Sequence, residues 1–295
     1  MYDARGPSNE EKMGHLGFAI IVLAIVVGAF LLVLKGPNLF GSSQEVAQRT
    51  SDGLLGALPG VDMARLDQAL LAFDPDAHMA ISTAIRGEQT DPQALQTLMV
   101  SELMPALQAK GPILAKSDVR YFDEILTLTQ DRLRVAAGSG SKWCTGGSYI
   151  PYIDAMEDNP EGAIQDLVAD MGEKTMIAIS QFTVDLATLL LEAGVDAEKN
   201  PAEYGELTPQ DNAVLQGVMF SMMADPQIIS LMVAQQAGAD LNTAAAGLNA
   251  CSLGLTGILA ARTLPEDTKA RAWAALMSGQ TDVSSAFGAG FQSAF

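Results

Sequence analysis

The chain has almost no histidine, cysteine or tryptophan, with two of each in 295 residues. Histidine is the usual general base, and zinc sites need histidines and cysteines close together. His15 and His78 stand far apart, and no GxSxG nucleophile motif is present. The sequence therefore predicts neither a histidine-based triad nor a metal site, and we interpret His78 as a surface or helix-cap residue.

Basic and aromatic residues are scarce as well. Lysine and arginine number 17 against 35 acids, the net charge is −18, and aromatic residues make up 6% of the chain. Nucleic-acid binding needs a basic surface with interleaved aromatic residues. This composition excludes a nucleic-acid partner, and no motif for a cofactor is found.

Residues 15–34, HLGFAIIVLAIVVGAFLLVL, form a run without Asp, Glu, Lys or Arg. A helix of that length spans a hydrocarbon layer of about 30 Å. We expect an uncleaved single transmembrane helix that contacts the lipid of the inner membrane. A cleaved signal peptide and a buried core helix are the alternatives. Small residues that let another membrane helix approach fall near one face of this helix: Gly17, Ala24 and Gly28.

The charges that flank this run predict the topology. Arg5 and Lys12 precede it, and basic residues favour the cytoplasmic side of a membrane. We therefore expect a cytoplasmic tail at 1–14, a linker at 35–43, and an acidic domain at 44–295 on the periplasmic side.

The two cysteines lie in different surroundings. Cys144 sits in the glycine- and serine-rich loop GSGSKWCTGGSY, and Cys251 lies in an apolar helical segment. Cysteines of exported proteins usually pair. We predict a Cys144–Cys251 disulfide that ties the loop to the later helix, with Trp143 as an apolar lid over the sulfurs. Two unrelated buried thiols are the alternative.

The domain is predicted to be all-α, because no segment alternates apolar and polar residues as a strand does. Instead, a capping residue followed by proline recurs, which is typical of a helix start. These pairs are Asp74-Pro75, Asp91-Pro92, Asn159-Pro160, Asn200-Pro201, Thr208-Pro209 and Asp225-Pro226. The predicted helices of this multi-helix bundle span 44–57, 62–73, 75–87, 91–109, 117–137, 160–171, 173–193, 208–224, 226–237, 241–261, 265–278 and 281–293. The loop at 138–149 is a candidate boundary between sub-bundles 44–137 and 150–295.

Two acids are weak catalytic candidates. Asp185 lies in the most apolar predicted helix, and Glu102 lies in VSELMPAL. Burial of such a carboxyl could raise its pKa and suit it to acid catalysis. The acidic run at 154–170 is interpreted as a solvated helix start. The methionines at 219, 222, 223 and 232 are interpreted as core packing rather than as a site for a metal or an apolar ligand.

The carboxyl-terminal segment carries a phenylalanine every four residues, at Phe287, Phe291 and Phe295. In a helix these rings form one stripe. The stripe either closes the core of its own domain or docks on a partner.

The combination of a membrane anchor, a linker and an acidic helical domain without a catalytic motif predicts a non-enzymatic binding, scaffold or accessory protein of the cell envelope. Its protein partner is not identified by the sequence. An all-helical cell-wall glycan-cleaving enzyme that uses one raised-pKa carboxylate, and a carrier of an apolar ligand, are the alternatives.

Overall fold

The computed structural model describes residues 61–87, 109–152, 173–239 and 241–278, with isolated helical positions between 103 and 171. The predicted anchor at 15–34 and its Gly17, Ala24 and Gly28 lie outside the described residues. So do Glu102, the predicted helices 44–57 and 281–293, and the three tail phenylalanines.

The described residues are helical, and the predicted all-α class is confirmed. We number their helices in chain order: α1 Ala64–Phe73, α2 Pro75–Gly87, α3 Gly111–Leu114, α4 Arg120–Gly138, α5 Glu173–Lys199, α6 Pro209–Met223, α7 Pro226–Gln236, α8 Leu241–Ala246, α9 Ala250–Arg262 and α10 Glu266–Met277. Two 3₁₀ turns, Lys142–Cys144 and Gly146–Ser148, lie in the glycine-rich loop. The described part has no strand, and a single β-bridge pairs Thr145 with Asn249.

The cap–proline pairs start helices where the chain is described, with one exception. Pro75, Pro209 and Pro226 each open a helix. Asn200-Pro201 does not, because α5 runs on to Lys199 and residues 201–208 have no regular secondary structure. Proline lacks the N–H that would continue the helical hydrogen bonds, so this pair marks the end of α5.

The prediction of one helix at 241–261 is wrong in one respect, because the structure has two helices there, α8 and α9. The chain leaves the helix after Ala246, and the side chain of Asn249 accepts a hydrogen bond from Ser252 N to cap α9. An asparagine that caps a helix has non-helical backbone angles, so it divides the segment.

The hydrophobic core is built around α5, which packs against α1, α3 and α4. One core cluster includes Leu66, Leu70 and Phe73 of α1, Tyr121 of α4, Leu190 and Leu191 of α5, and Trp273 of α10. Helices on both sides of the 138–149 loop contribute to this core. The segments predicted as separate sub-bundles therefore share one core among the described residues.

Among the described residues, α5 is the single helix that by itself is long and apolar enough to cross a membrane, over Ile177–Lys199. Half of that window is buried inside the domain. A helix that is apolar nearly all round is also typical of a domain centre. The position of α5 agrees with the prediction of a central bundle helix.

A glycine sets how closely α5 approaches α1. A Cβ placed on Gly194 would overlap the ring of Phe73 at three carbon atoms. Both residues are buried. The missing side chain at Gly194 therefore leaves the space that the Phe73 ring fills.

A buried turn holds α10 against the start of α4. Trp273 Nε1 donates a hydrogen bond to Ser117 Oγ at 2.9 Å, and the hydroxyl of Tyr204 donates to the Ser117 carbonyl at 3.0 Å. The Tyr204 oxygen also accepts from Val119 N at 2.9 Å. These bonds satisfy polar groups that would otherwise be buried at a cost.

A second buried contact fixes the first turn of α6 to α10. Asp211 accepts two hydrogen bonds from the guanidinium of Arg271, at 2.7 and 2.9 Å, and one from Thr268 Oγ1 at 2.7 Å. Thr208 and Asp211 also form a reciprocal capping box. The Arg271 guanidinium, with the hydroxyl and amide donors of Thr208 and Thr268, holds the pKa of Asp211 well below its usual range.

Two glycine substitutions test the α1–α5 contact. Gly194→Ala is expected to lower the free energy of unfolding by about 1–3 kcal/mol, because overpacking forces a buried ring to move. Gly217→Ala lies inside α6, where an added Cβ meets no atom within 4 Å. This control is expected to gain about 0.5–1 kcal/mol from helix propensity. Urea unfolding followed by circular dichroism measures both, and an unchanged Gly194→Ala midpoint would contradict the contact.

The Asp211 contact predicts a pH dependence. The unfolded carboxyl takes up its proton near pH 3.9, whereas the folded carboxyl does so only at a lower pH. The stability from this group is therefore present above about pH 4 and is lost as the pH falls below that value.

We expect Asp211→Asn to be less stable than the wild type at pH 7 and to lose less stability on acidification to pH 3. Asp131→Asn removes an exposed pair with Arg134 and should keep the wild-type profile. Equal acid sensitivity of Asp211→Asn and the wild type would contradict this assignment.

Candidate interaction surface

One part of the chain is nearly without charge. Residues 212–261 contain two charged side chains, Asp225 and Asp240, in 50 positions, whereas 18% of the whole chain is charged. These residues form most of α6, all of α7 and α8, and all of α9 except its last residue, Arg262. Water-facing sides of helices normally carry charged residues, so this depletion leaves apolar groups at the surface.

Four large apolar side chains on these helices face solvent. Phe220 of α6 is 55% exposed, Ile229 and Val233 of α7 are 44% and 58% exposed, and Leu259 of α9 is 50% exposed. We call these four side chains the apolar surface. They lie on α7, on α9, and on α6, which contacts both of these helices. Large exposed apolar patches are typical of sites that bind another molecule.

Helix α7 shows why the exposure is built into the sequence. Its inner side buries Ile228 and Leu231, while Ile229 and Val233, one turn apart, point away from the domain. A helix with apolar residues on both sides can bury one side only. Among the described residues, the second apolar side of α7 is left largely exposed to solvent.

Helix α6 packs closely on α9 at a glycine of α9. A Cβ on Gly257 would lie 3.1 Å from Cε of Met222, which is closer than side chains normally pack. The side chains of Met222, Met223 and Met232 are half-buried. The prediction that the methionine cluster is core is therefore only partly right for these three, because they lie between the core and solvent.

The one charged group at the bend between α6 and α7 is engaged locally. Asp225 Oδ1 accepts a hydrogen bond from Gln227 N at 2.9 Å, and Oδ2 lies 3.5 Å from Thr256 Oγ1. Its carboxylate thus caps the first turn of α7. The bend is held by this contact to α9, and Asp225 supplies no free charge to the apolar surface.

A disulfide braces the base of the same region. Cys144 is bonded to Cys251 at the start of α9, with Cα atoms 4.9 Å apart. Next to it, Gly146 N donates to the Leu248 carbonyl at 2.8 Å. A Cβ on Gly146 would overlap the Ala245 carbonyl oxygen, so this close approach requires glycine. The predicted disulfide is present, and it ties the glycine-rich loop to α8 and α9.

The brace continues to α7. Asn249, which pairs with Thr145 in the β-bridge, donates its backbone N–H to Gln227 Oε1 at 2.6 Å. Gln227 lies in the first turn of α7, two residues before the exposed Ile229. The loop, α9 and the start of α7 are therefore joined by one covalent bond and a series of hydrogen bonds.

Trp143 is buried in a small aromatic cluster beside this brace. Its ring centroid lies 5.9 Å from that of Tyr149 and 6.4 Å from that of Tyr152. The Lys142 ammonium stands 4.6 Å above the indole ring. Tyr152 donates to Asp170, and this bond, with desolvation, raises the pKa of Tyr152 to about 12. The proposed role of Trp143 as a lid over the disulfide stays a prediction.

The structure places Asp185 in a structural contact. Its carboxylate accepts hydrogen bonds from Arg132 of α4 at 2.7 Å and from Gln181 at 2.8 Å. The bond from Arg132 joins α4 to α5, and the bond from Gln181 lies within α5. The catalytic role considered for Asp185 stays a prediction, and its alternative, Glu102, lies outside the described residues.

His78 is neither a free surface residue nor a helix cap. Its Nε2 lies 2.8 Å from Asp67 Oδ1, and the side chain is half-buried. This pair joins α2 to α1. Among the described residues, no group of three or more histidine, cysteine or acidic residues could hold a metal ion.

The apolar surface was not predicted, although the sequence carries a signal for it. The absence of charge over 212–261 is visible without a structure. The spacing of apolar residues alone does not predict the apolar surface, because it indicates a buried position for residues on both sides of α7. Only the packing shows which of the two sides is covered.

The Cys144–Cys251 disulfide predicts a loss of stability when it is reduced. The bond closes a sequence separation of 107 residues, and the chain-entropy model gives such a loop up to about 4.7 kcal/mol. We expect dithiothreitol, or the double substitution Cys144→Ser/Cys251→Ser, to lower the melting temperature. Dithiothreitol should not lower the melting temperature of the double variant further. Two free thiols, found by mass spectrometry of unreduced protein from its native cell, would contradict the disulfide.

Comparison with known proteins does not assign this surface to a family. No protein family model matches the chain, and neither a curated protein nor a solved structure is significantly similar to it. The function therefore has to be inferred from the apolar surface and the helices that carry it.

Proposed function

We propose that this chain is a single-pass protein of the inner membrane whose periplasmic helical domain binds another envelope protein through the apolar surface. It acts as a binding, scaffold or accessory subunit and catalyses no reaction of its own. The observation that carries this proposal is the exposure of Phe220, Ile229, Val233 and Leu259 on helices almost without charge.

The chemistry of the surface supports a protein partner. The domain as a whole is strongly acidic, which repels anionic lipid headgroups and nucleic acid. The centre of a protein interface is poor in charged residues and rich in aromatic residues and methionine. Phe220 with Met222, Met223 and Met232 fits that composition. An apolar partner surface is the matching chemistry.

The disulfide supports a location outside the cytoplasm. Disulfides persist in oxidising compartments such as the bacterial periplasm and are rare in the cytosol. The bond closes a long loop next to α7 and α9. Export to that side would follow if residues 15–34 span the membrane with Arg5 and Lys12 in the cytoplasm.

Paired charge substitutions test the proposal. In full-length tagged protein, expressed in its native cell and purified from membranes, the wild type should co-purify with one specific envelope protein. Ile229→Glu/Val233→Glu should reduce its recovery at least tenfold, because a tenfold change needs only about 1.4 kcal/mol and a buried unpaired charge costs more. Both positions are exposed, so the fold should be retained by circular dichroism.

A matched control separates this surface from apolar exposure in general. Leu71 and Met79 are large, apolar and similarly exposed, but they lie on α1 and α2. Leu71→Glu/Met79→Glu should retain the partner at the wild-type level. Equal loss from both double variants, or retention by both, would contradict the proposed surface. A native amino terminus near Gln44 would contradict the anchor alone.

A further inference from the structure

Helices α7 and α8 are attached to the domain mainly through the glycine-rich loop. Helix α8 packs chiefly against α7 and against the 3₁₀ turn Gly146–Ser148, and α7 also contacts α6. Neither helix packs extensively against α1, α4 or α5. The buried Ile228 and Leu231 of α7 and Ala245 of α8 are not among the side chains of the core cluster around α5. The core therefore does not hold these two helices directly.

Both helices are too short to be stable without packing. Helix α8 has six residues and α7 has eleven. An isolated helix shorter than about 12–15 residues is marginal in water. A segment with few packing contacts opens locally before the core does. The position of α7 and α8 thus depends on whatever holds the loop beneath them.

The backbone of the loop lies directly on the end of α8. A Cβ on Gly146 would lie 2.1 Å from the Ala245 carbonyl oxygen, and a Cβ on Gly147 would lie 3.3 Å from the Ala246 carbonyl oxygen. Gly146 N also donates a hydrogen bond to the Leu248 carbonyl. A glycine-rich loop loses much conformational entropy when it is fixed in this way. The close contact therefore needs a strong tie to persist.

The disulfide supplies that tie. Cys144 lies two residues before Gly146 and is bonded to Cys251 in the first turn of α9. Helix α9 packs along α4, and α6 packs on α9, so Cys251 belongs to the firmly held part of the domain. Both cysteines are buried, at 6% exposure. A buried sulfur is inert to thiol exchange, so the bond, once formed, is out of reach of a reductant while the loop is closed.

We propose that the Cys144–Cys251 disulfide is a one-way maturation latch that fixes α7 and α8 in place. In the dithiol form the loop is not held, and α7 and α8 open locally while the core of α1, α4 and α5 stays folded. Oxidation by a disulfide of the surrounding compartment closes the latch. The thiolate of one cysteine attacks that disulfide, and the thiolate of the other then displaces the bound half. The two cysteines lose two electrons and two protons, and the oxidant leaves as two thiols.

The latch rests on the proposed function only for its consequence. Ile229 and Val233 of α7 reach their final position only after oxidation, so a reduced chain does not present them to the partner. The position of α7 itself is a property of the isolated chain. A measurement without a partner therefore tests the latch independently of the co-purification experiment.

Hydrogen–deuterium exchange with mass spectrometry tests the latch in full-length protein. In Cys144→Ser/Cys251→Ser, peptides from α7 and α8 should exchange at least tenfold faster than in the oxidised wild type, and peptides from α5 should be unchanged. The wild type reduced to completion with dithiothreitol should behave as this variant. Reoxidation with oxidised glutathione should restore the protection of α7 and α8, which separates loss of the bond from an effect of buried serine hydroxyls.

Gly194→Ala is the matched control for destabilisation in general. It is expected to weaken the contact between α1 and α5 and leaves the disulfide intact. Its peptides from α7 and α8 should therefore exchange at the wild-type rate.

Three results would overturn the proposal. Unchanged exchange in α7 and α8 after removal of the bond would show that packing alone holds them. Equally accelerated exchange in α5 would show that the bond supports the whole domain rather than these two helices. Reduction of the bond by reduced glutathione as fast in the native protein as in unfolding urea would show that the latch is not one-way.

Discussion

The approach of α5 to α1 is the contact on which the rest of the domain depends. Gly194 leaves room for the ring of Phe73, and this lets the apolar run of α5 form a core with α1, α3 and α4. Because α5 packs on α4, the position of α4 is fixed, and α9 packs on α4 in turn. The helices that carry the apolar surface follow from there: α9 packs on α4, α6 packs on α9, and α7 contacts α6.

An ion pair and a disulfide then set the position of the helices that carry the apolar surface. Asp211 and Arg271 fix the first turn of α6 to α10, and the disulfide with its hydrogen bonds fixes α9 and the start of α7. Both act at helix ends and leave the exposed sides of α6 and α7 free of charge. A rigid support beneath an uncharged surface lowers the entropy that binding has to overcome.

Local signals in the sequence were sufficient for the class of fold, for three helix starts and for the disulfide. Proline after Asp74, Thr208 and Asp225 fixes a helix start because it acts within one turn. The contact of Asp211 with Arg271 could not be predicted, since it joins residues 60 positions apart. Asn200-Pro201 and the break before Asn249 show a different limit, because a capping residue in the sequence does not tell whether the residues before it are already helical. The apolar surface escaped prediction because spacing does not tell which apolar side of α7 is covered.

The central claim is that the side of α7 carrying Val233 meets another protein in the envelope. Site-specific photo-crosslinking in intact cells tests it most directly, with a benzophenone amino acid placed at Val233 or at the equally exposed Met79 of α2. The account predicts a crosslinked product with a second protein from position 233 and none from position 79. The same product from both positions, or from position 79 alone, would contradict it.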